Sequence, residues 1–253
     1  MIYNDTIGIV PHEINHTVSN LAIKKSGRVL YAFSEFYLPF YGYKPSDIFW
    51  HYDPFAFISA FIYDIDEGVE TGQTDSTTKN KIEHLMKYLN TRIDIGPEIN
   101  TLLDDAHQYY NFERKVVSVG AKYTFKELLK MTSIRSFDFR LMHRVIAQLS
   151  SSGYREELFF WFQEFEKLME IEDDMNSIKE DMQRCTFNFV SLAINQSAET
   201  GEQFVLEVKK DIEREIKIRM KHLMESDRKL CIRILKKYRS VVPRPLLTVS
   251  FGK

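Results

Sequence analysis

Glycine and proline are scarce in this chain, 10 and 7 in 253 residues, which leaves few places for the frequent tight turns of a β-sandwich or barrel and points to helices. Cysteine is scarcer still. Cys185 and Cys231 are the only two, too few for a disulfide framework or a thiolate metal site, and their scarcity fits a reducing compartment. Neither charge dominates: 34 Lys and Arg stand against 36 Asp and Glu, a formal net charge of −2. No basic surplus therefore recommends nucleic acid or an anionic membrane as partner. No long uninterrupted apolar run and no basic-then-apolar leader is present, so the expectation is a cytoplasmic protein without a membrane span.

Aromatic and helical patterning fills the rest. The length suits one α-helical domain over 1–253, with a loose arm at 1–10 and a tail at 243–253 beyond the helix-ending Pro243. From Val29 to Tyr43, Phe33, Phe36, Tyr37, Phe40 and Tyr41 recur at helical spacing, with Pro39 expected to kink or end the helix. These rings read first as core filling and second as the wall of a pocket for a cationic species. Pro45 with Ser46 and Asp47 reads as a turn and cap, and Asp53-Pro54 as the opening of a helix with Phe55, Ile58, Phe61 and Ile62 on one face. Gly68 to Asn80 is expected to be a surface loop. Helices follow at Lys81–Leu89 and at Glu98–Asn111, where Asp104, Asp105 and His107 read as a wet face, and Tyr123–Leu149 contains the run Arg135-Ser136-Phe137-Asp138-Phe139-Arg140. Ser150–Gly153 is a loop, Gly201 a break, and Glu202–Lys237 one long amphipathic helix or two.

Three places carry chemistry. Asp173, Ser177 and Asp181 recur every four residues and form one polar column on a helix. Two carboxylates and a hydroxyl are hard oxygen ligands that suit Mg²⁺. Tyr63-Asp64-Ile65-Asp66-Glu67 is a second acidic run, at the end of an apolar helix. His12-Glu13-Ile14-Asn15-His16 is a literal H-E-x-x-H, which on a helix pairs two imidazoles for Zn²⁺ with Glu13 as base and Glu35 as a conceivable third ligand. Its brevity makes exposed helix residues the simpler reading.

The run Asp173-Asp174-Met175-Asn176-Ser177-Ile178-Lys179-Glu180-Asp181 resembles the second metal motif of bacterial class I terpene synthases: Asn or Asp, Asp, two variable residues, Ser or Thr, three more, Glu. Asp181 replaces the usual Glu, and Asn188-Phe189-Val190 follows slightly early. The resemblance implies an all-α bundle of the class I isoprenoid synthase type around a central cavity. It further implies a first acidic motif, D-D-x-x-D or D-D-x-x-E, which Asp64 and Glu67 match at its second and last members; Tyr63 occupies the leading place, which leaves either Asp66 as a substitute or an incomplete ligand set. A diphosphate-sensing Arg followed three residues later by an Asp matches Arg135 and Asp138, with Arg140 and Arg144 as rivals. Arginine suits that task because its planar fork gives two hydrogen bonds to phosphate. The family's C-terminal Arg-Tyr pair has only a reversed counterpart in Tyr238-Arg239.

The activity so implied is Mg²⁺-dependent ionisation of an isoprenyl diphosphate, with Asp64, Glu67, Asp173, Ser177 and Asp181 as metal ligands. Arg135 and Lys179 would neutralise diphosphate, and Phe57, Phe61, Phe160 and Trp161 would wall the cavity around a carbocation. A homodimer is compatible with such a bundle. The alternatives are a chain-elongating prenyltransferase, a non-catalytic all-helical interaction protein, and the zinc hydrolase suggested by H-E-x-x-H.

Overall fold

The computed structural model describes residues 18–116, 121–150, 153–184 and 186–242. All regular structure among them is helical: α1 (Asn20–Phe36), α2 (Tyr52–Glu70), α3 (Asp75–Asn90), α4 (Pro97–Val116), α5 (Phe125–Ile134), α6 (Phe137–Leu149), α7 (Glu156–Arg184), α8 (Phe189–Gln196), α9 (Ala198–His222) and α10 (Glu225–Val241). Two 3₁₀ segments, Leu38–Tyr41 and Pro45–His51, join α1 to α2. No strand occurs among the described residues.

Local chemistry sets the ends. The Ser19 hydroxyl accepts from the Ala22 N–H at 3.0 Å and starts α1. Thr124 and Glu127 form a reciprocal capping box on α5, satisfying two of the donors that a helix start leaves open. Pro39 permits only a 3₁₀ turn after α1, closed by Gly42 at φ 78°, a left-handed conformation that glycine takes without a Cβ clash.

Two helix breaks differ from expectation. The helix α2 runs through Gly68 to Glu70, and the Ser/Thr-rich segment belongs to α3, because the Thr74 hydroxyl caps it. Packing along α2 outweighs the roughly 1 kcal/mol helix cost of an internal glycine. Gly201 is inside α9, and the interruption falls at Ser197. A Cβ at Gly201 would run into the Ala193 carbonyl, so this glycine serves the close approach of α8 and α9.

The helix α7 is the spine. Trp161, Phe162, Phe165, Leu168 and Ile171 are buried along it, and it packs against α5, α8 and α9. Tyr37 stacks on Phe162 at 4.2 Å between centroids and on Phe139 at 5.4 Å. Each such ring contributes about 1.5–3 kcal/mol by leaving water. The helices α1 and α2 lie antiparallel, since Phe33 meets Phe55 at one end while Ser19 meets Asp64 at the other.

Gly201→Ala is expected to lower unfolding free energy by about 1–3 kcal/mol through overpacking. Gly27→Ala in α1, where nothing lies within 4 Å of a Cβ, is expected to raise it by about 0.5–1 kcal/mol. Urea unfolding of both variants measures the contrast.

Candidate functional site: a carboxylate-lined cavity

Helical phase decides which acids meet. On α2, Ile62, Tyr63, Asp66 and Glu70 share one face; on α4, Tyr109, Tyr110 and Glu113 do; on α7, Met169, Glu170, Asp173 and Asn176 do. These faces surround a cavity of about 480 Å³. Arg135 comes from the interruption between α5 and α6, Phe137 and Asp138 from the first turn of α6, Thr186 and Phe187 from the segment after α7, and Tyr238 and Val242 from α10 and its end.

The cavity is rich in carboxylates and poor in cations. Among the described residues, Arg135 is the sole basic one on its wall. It is already engaged, with Nε 3.1 Å from Glu170 and Nη1 2.7 Å from Asp174. Burial alone would lower its pKa, but Asp174 and Glu170 reverse that and raise it. Lys25 reaches Asp66 at 3.6 Å. Among the described residues no basic side chain pairs with Glu70, Glu113, Asp138, Asp173 or Asp181. Burial pushes Asp66 up to about 6, Asp138 to about 7 and Glu113 to about 8. Asp173 is also raised, by burial and then by Glu170. Glu113 accepts from the Phe187 backbone N–H through one oxygen, while its buried Oε2 has no partner.

The α7 column is braced from α8. Asn188 caps α8 by accepting from the Ser191 N–H at 2.8 Å, and its Nδ2 donates to the Asp174 carbonyl at 2.9 Å and to Asp181 Oδ2 at 2.8 Å. The Ser177 hydroxyl donates to the same Asp181 oxygen. Asp174, fully buried, accepts from the Phe189 N–H at 2.7 Å and from Arg135. Asp173 and Asp181 therefore line the cavity with Ser177 bound to Asp181 at its edge, while Asp174 anchors Arg135 from behind.

Several expected residues lie elsewhere. Asp64 is two residues from Asp66, and residues at i and i+2 do not share a helix face. Its carboxylate takes Lys81 Nζ at 2.6 Å and the Ser19 N–H at 3.0 Å, and Glu67 accepts from the Ser19 hydroxyl. Both acids tie α2 to α1 and α3 instead of lining the cavity. The expected aromatic wall is also replaced. Phe57 stacks on Tyr88 at 3.8 Å, Phe61 stacks on Phe57 within the core, Trp161 stacks on Phe165 at 5.3 Å, and Phe160 is exposed beside Arg219. The rings facing the cavity are Tyr63, Tyr109, Tyr110, Phe137, Phe187 and Tyr238. Lys179 is exposed and off the cavity wall, on the outer side of α7. Arg140 pairs with Glu166 at 2.9 Å, and Glu35 with Lys237. His12, Glu13 and His16 fall outside the described residues.

Asp66 and Glu70 were legible as an i, i+4 pair continuing the apolar face of Ile58 and Ile62. Glu113 is an acid in phase with the buried Ala106, Tyr109 and Tyr110. Among the described residues, no group of three or more His, Cys, Asp or Glu is placed to hold a metal ion. Mg²⁺ does not require one, since it takes one or two carboxylates and completes its shell with water and substrate phosphate. The hard oxygens of Asp66, Glu70, Asp173, Ser177 and Asp181, and the carboxylates left without a cation, fit that mode of binding. Comparison with family models, curated proteins and solved structures gave no match.

The raised carboxyls fix a pH dependence. Between about pH 4 and 8 the folded state holds protons on Asp66, Asp138 and Glu113 that the unfolded chain has released, so stability falls as pH rises through this window. In metal-free buffer the unfolding midpoint is expected to decline from pH 5 to pH 8, and Glu113→Gln to flatten the decline between pH 6 and 8. A midpoint that rises over that range would contradict the cavity electrostatics.

Proposed function

We propose that the chain is a Mg²⁺-dependent enzyme that ionises an isoprenyl diphosphate, a terpene synthase of the class I type. The observation that carries this reading is the cavity, where acids from α2 and α7 face one Arg and a wall of rings. It is supported further by the spacing of Asp66-Glu67-Gly68-Val69-Glu70, which is similar to D-D-x-x-E with Glu67 in place of the second Asp, in a register whose first and last members reach the cavity.

The residues assigned to hold Mg²⁺ are Asp66 and Glu70 on one side and Asp173, Ser177 and Asp181 on the other. When bound, the ion supplies positive charge to diphosphate oxygens and so makes diphosphate a better leaving group. The rest falls to the chain. Arg135, oriented by Asp174 and Glu170, points a fixed guanidinium into the cavity, where it binds the departing anion with no reorganisation at the moment of bond breaking. Asn188 keeps Asp181 and Ser177 together. Tyr63, Tyr109 and Phe187 on the cavity wall are the rings assigned to the allylic group, whose positive charge an aromatic π-system favours. Their bulk excludes water until a proton is lost or a water is admitted.

A chain-elongating prenyltransferase uses similar acids. Incubation of an allylic diphosphate with and without isopentenyl diphosphate separates the two, since elongation requires the second substrate and cyclisation or elimination does not. The assignment predicts that Asp173→Ala/Ser177→Ala and Asp66→Asn/Glu70→Gln each reduce Mg²⁺-dependent diphosphate release from geranyl, farnesyl or geranylgeranyl diphosphate by at least ~10²-fold. Asp64→Asn should lower thermal stability and leave the rate within a few-fold of wild type. Equal loss in Asp64→Asn and Asp66→Asn/Glu70→Gln would overturn the register.

A further inference from the structure

Farther along α6, about 8 Å beyond Asp138 on the helix axis, lies a second polar cluster that the cavity does not use. Tyr41 Oη, Tyr154 Oη, both ring nitrogens of His143, and Nε of Arg144 and Arg155 are all buried without a hydrogen-bond partner among the described residues. They are contiguous. The His143 ring is 5.3 Å from that of Tyr41 and 6.1 Å from that of Tyr154. The Arg144 guanidinium lies 3.4 Å over the Tyr154 ring, and that of Arg155 is 5.9 Å from the Tyr41 ring.

Buried polar atoms are almost always satisfied, and so many orphans in one place call for an absent partner such as an ion or ordered water. The composition of the cluster says which. Arg144 has no carboxylate partner among the described residues. Arg155 donates to both oxygens of Asp227 at 2.8 Å and to the Phe40 carbonyl, and keeps Nε free. Burial holds both phenols protonated and therefore able to donate. Burial, followed by Arg144 and Arg155, lowers His143 to about 3 and keeps it neutral. The acids facing the cluster are limited. Glu156 and Glu166 act on Tyr154, but Glu166 is neutralised by Arg140 at 2.9 Å and takes the Tyr37 hydroxyl at 2.8 Å. What converges is mainly donors and positive charge, including one unpaired guanidinium fork of the kind that matches phosphate geometry.

We propose that this cluster is a second ligand site, taking a small oxyanion of the inorganic phosphate type between Arg144, Arg155 and the hydroxyls of Tyr41 and Tyr154. It is independent of the reading given to the cavity, whose guanidinium is Arg135.

The test uses the full chain in EDTA, so that no divalent ion can recruit phosphate to the cavity, and titrates inorganic phosphate by calorimetry and by thermal unfolding. Saturable binding is expected in the wild type, with a rise in Tm. Arg144→Gln should weaken binding at least tenfold, Arg144→Lys less, and Tyr154→Phe measurably, each compared with its own unfolding midpoint without phosphate. The two milder variants decide the matter if Arg144→Gln does not fold. Absence of saturable binding in the wild type would rule phosphate out of the cluster, and affinity unchanged by all three substitutions would place the phosphate elsewhere. Either result overturns the site.

Discussion

Carboxylates that outnumber cations inside a partly closed space are the constraint on which this molecule turns. Each charged acid removed from water loses hydration that only a counter-charge or a proton can replace. Around the cavity the chain supplies Arg135, and Lys25 at the rim of Asp66, and otherwise lets burial raise the pKa of Asp66, Asp138 and Glu113 towards neutrality. Well-packed apolar side chains in place of buried ionisable groups are often neutral or stabilising. Keeping the acids has a physical rationale if a divalent cation and an anionic substrate complete the charge balance.

The architecture spends its strongest polar contacts on holding that arrangement open. Asp174 joins Arg135 to the start of α8, and Asn188 returns from α8 to Asp181 and the Asp174 carbonyl. One residue before Asp173, Glu172 is fully buried and takes the Tyr238 hydroxyl at 2.9 Å, Arg239 at 2.6 Å and Lys209 at 3.2 Å. The acid column of α7 is therefore clamped from both flanks, by α8 on one and by α9 and α10 on the other. Tyr238 thereby meets the cavity although the Tyr-Arg order is the reverse of the pair found in the resembled family. Removing either clamp leaves a buried charge without its partner, which typically costs about 3–5 kcal/mol.

Much of the helical order is readable in the sequence. Sparse glycine and proline, Pro39 after the first aromatic stripe and Pro54 at the start of α2 each act through local sterics, which sequence reports directly. The α7 column was readable for the same reason, because a four-residue period on a long helix needs no tertiary information. The register on α2 was not. Asp64, Asp66, Glu67 and Glu70 offer several acid pairs, and only the packing of Ser19 and Lys81 against Asp64 shows which pair is drawn away from the cavity. The aromatic wall was misplaced on the same grounds. Phe57, Phe61, Phe160 and Trp161 and the rings that line the cavity are alike in chemistry and differ in which neighbour each helix meets. Gly68 and Gly201 are helix breakers by propensity alone, yet both sit inside helices.

The central claim is that acids from α2 and α7 close around a metal-bound diphosphate with Arg135. Its most direct measurement is calorimetric titration of the chain with Mg²⁺ and inorganic pyrophosphate, singly and together. Binding of each is predicted to be strongly enhanced by the other, and the enhancement to vanish in both Asp66→Asn/Glu70→Gln and Asp173→Ala/Ser177→Ala. Pyrophosphate that binds equally well with and without Mg²⁺, or not at all, would contradict the account.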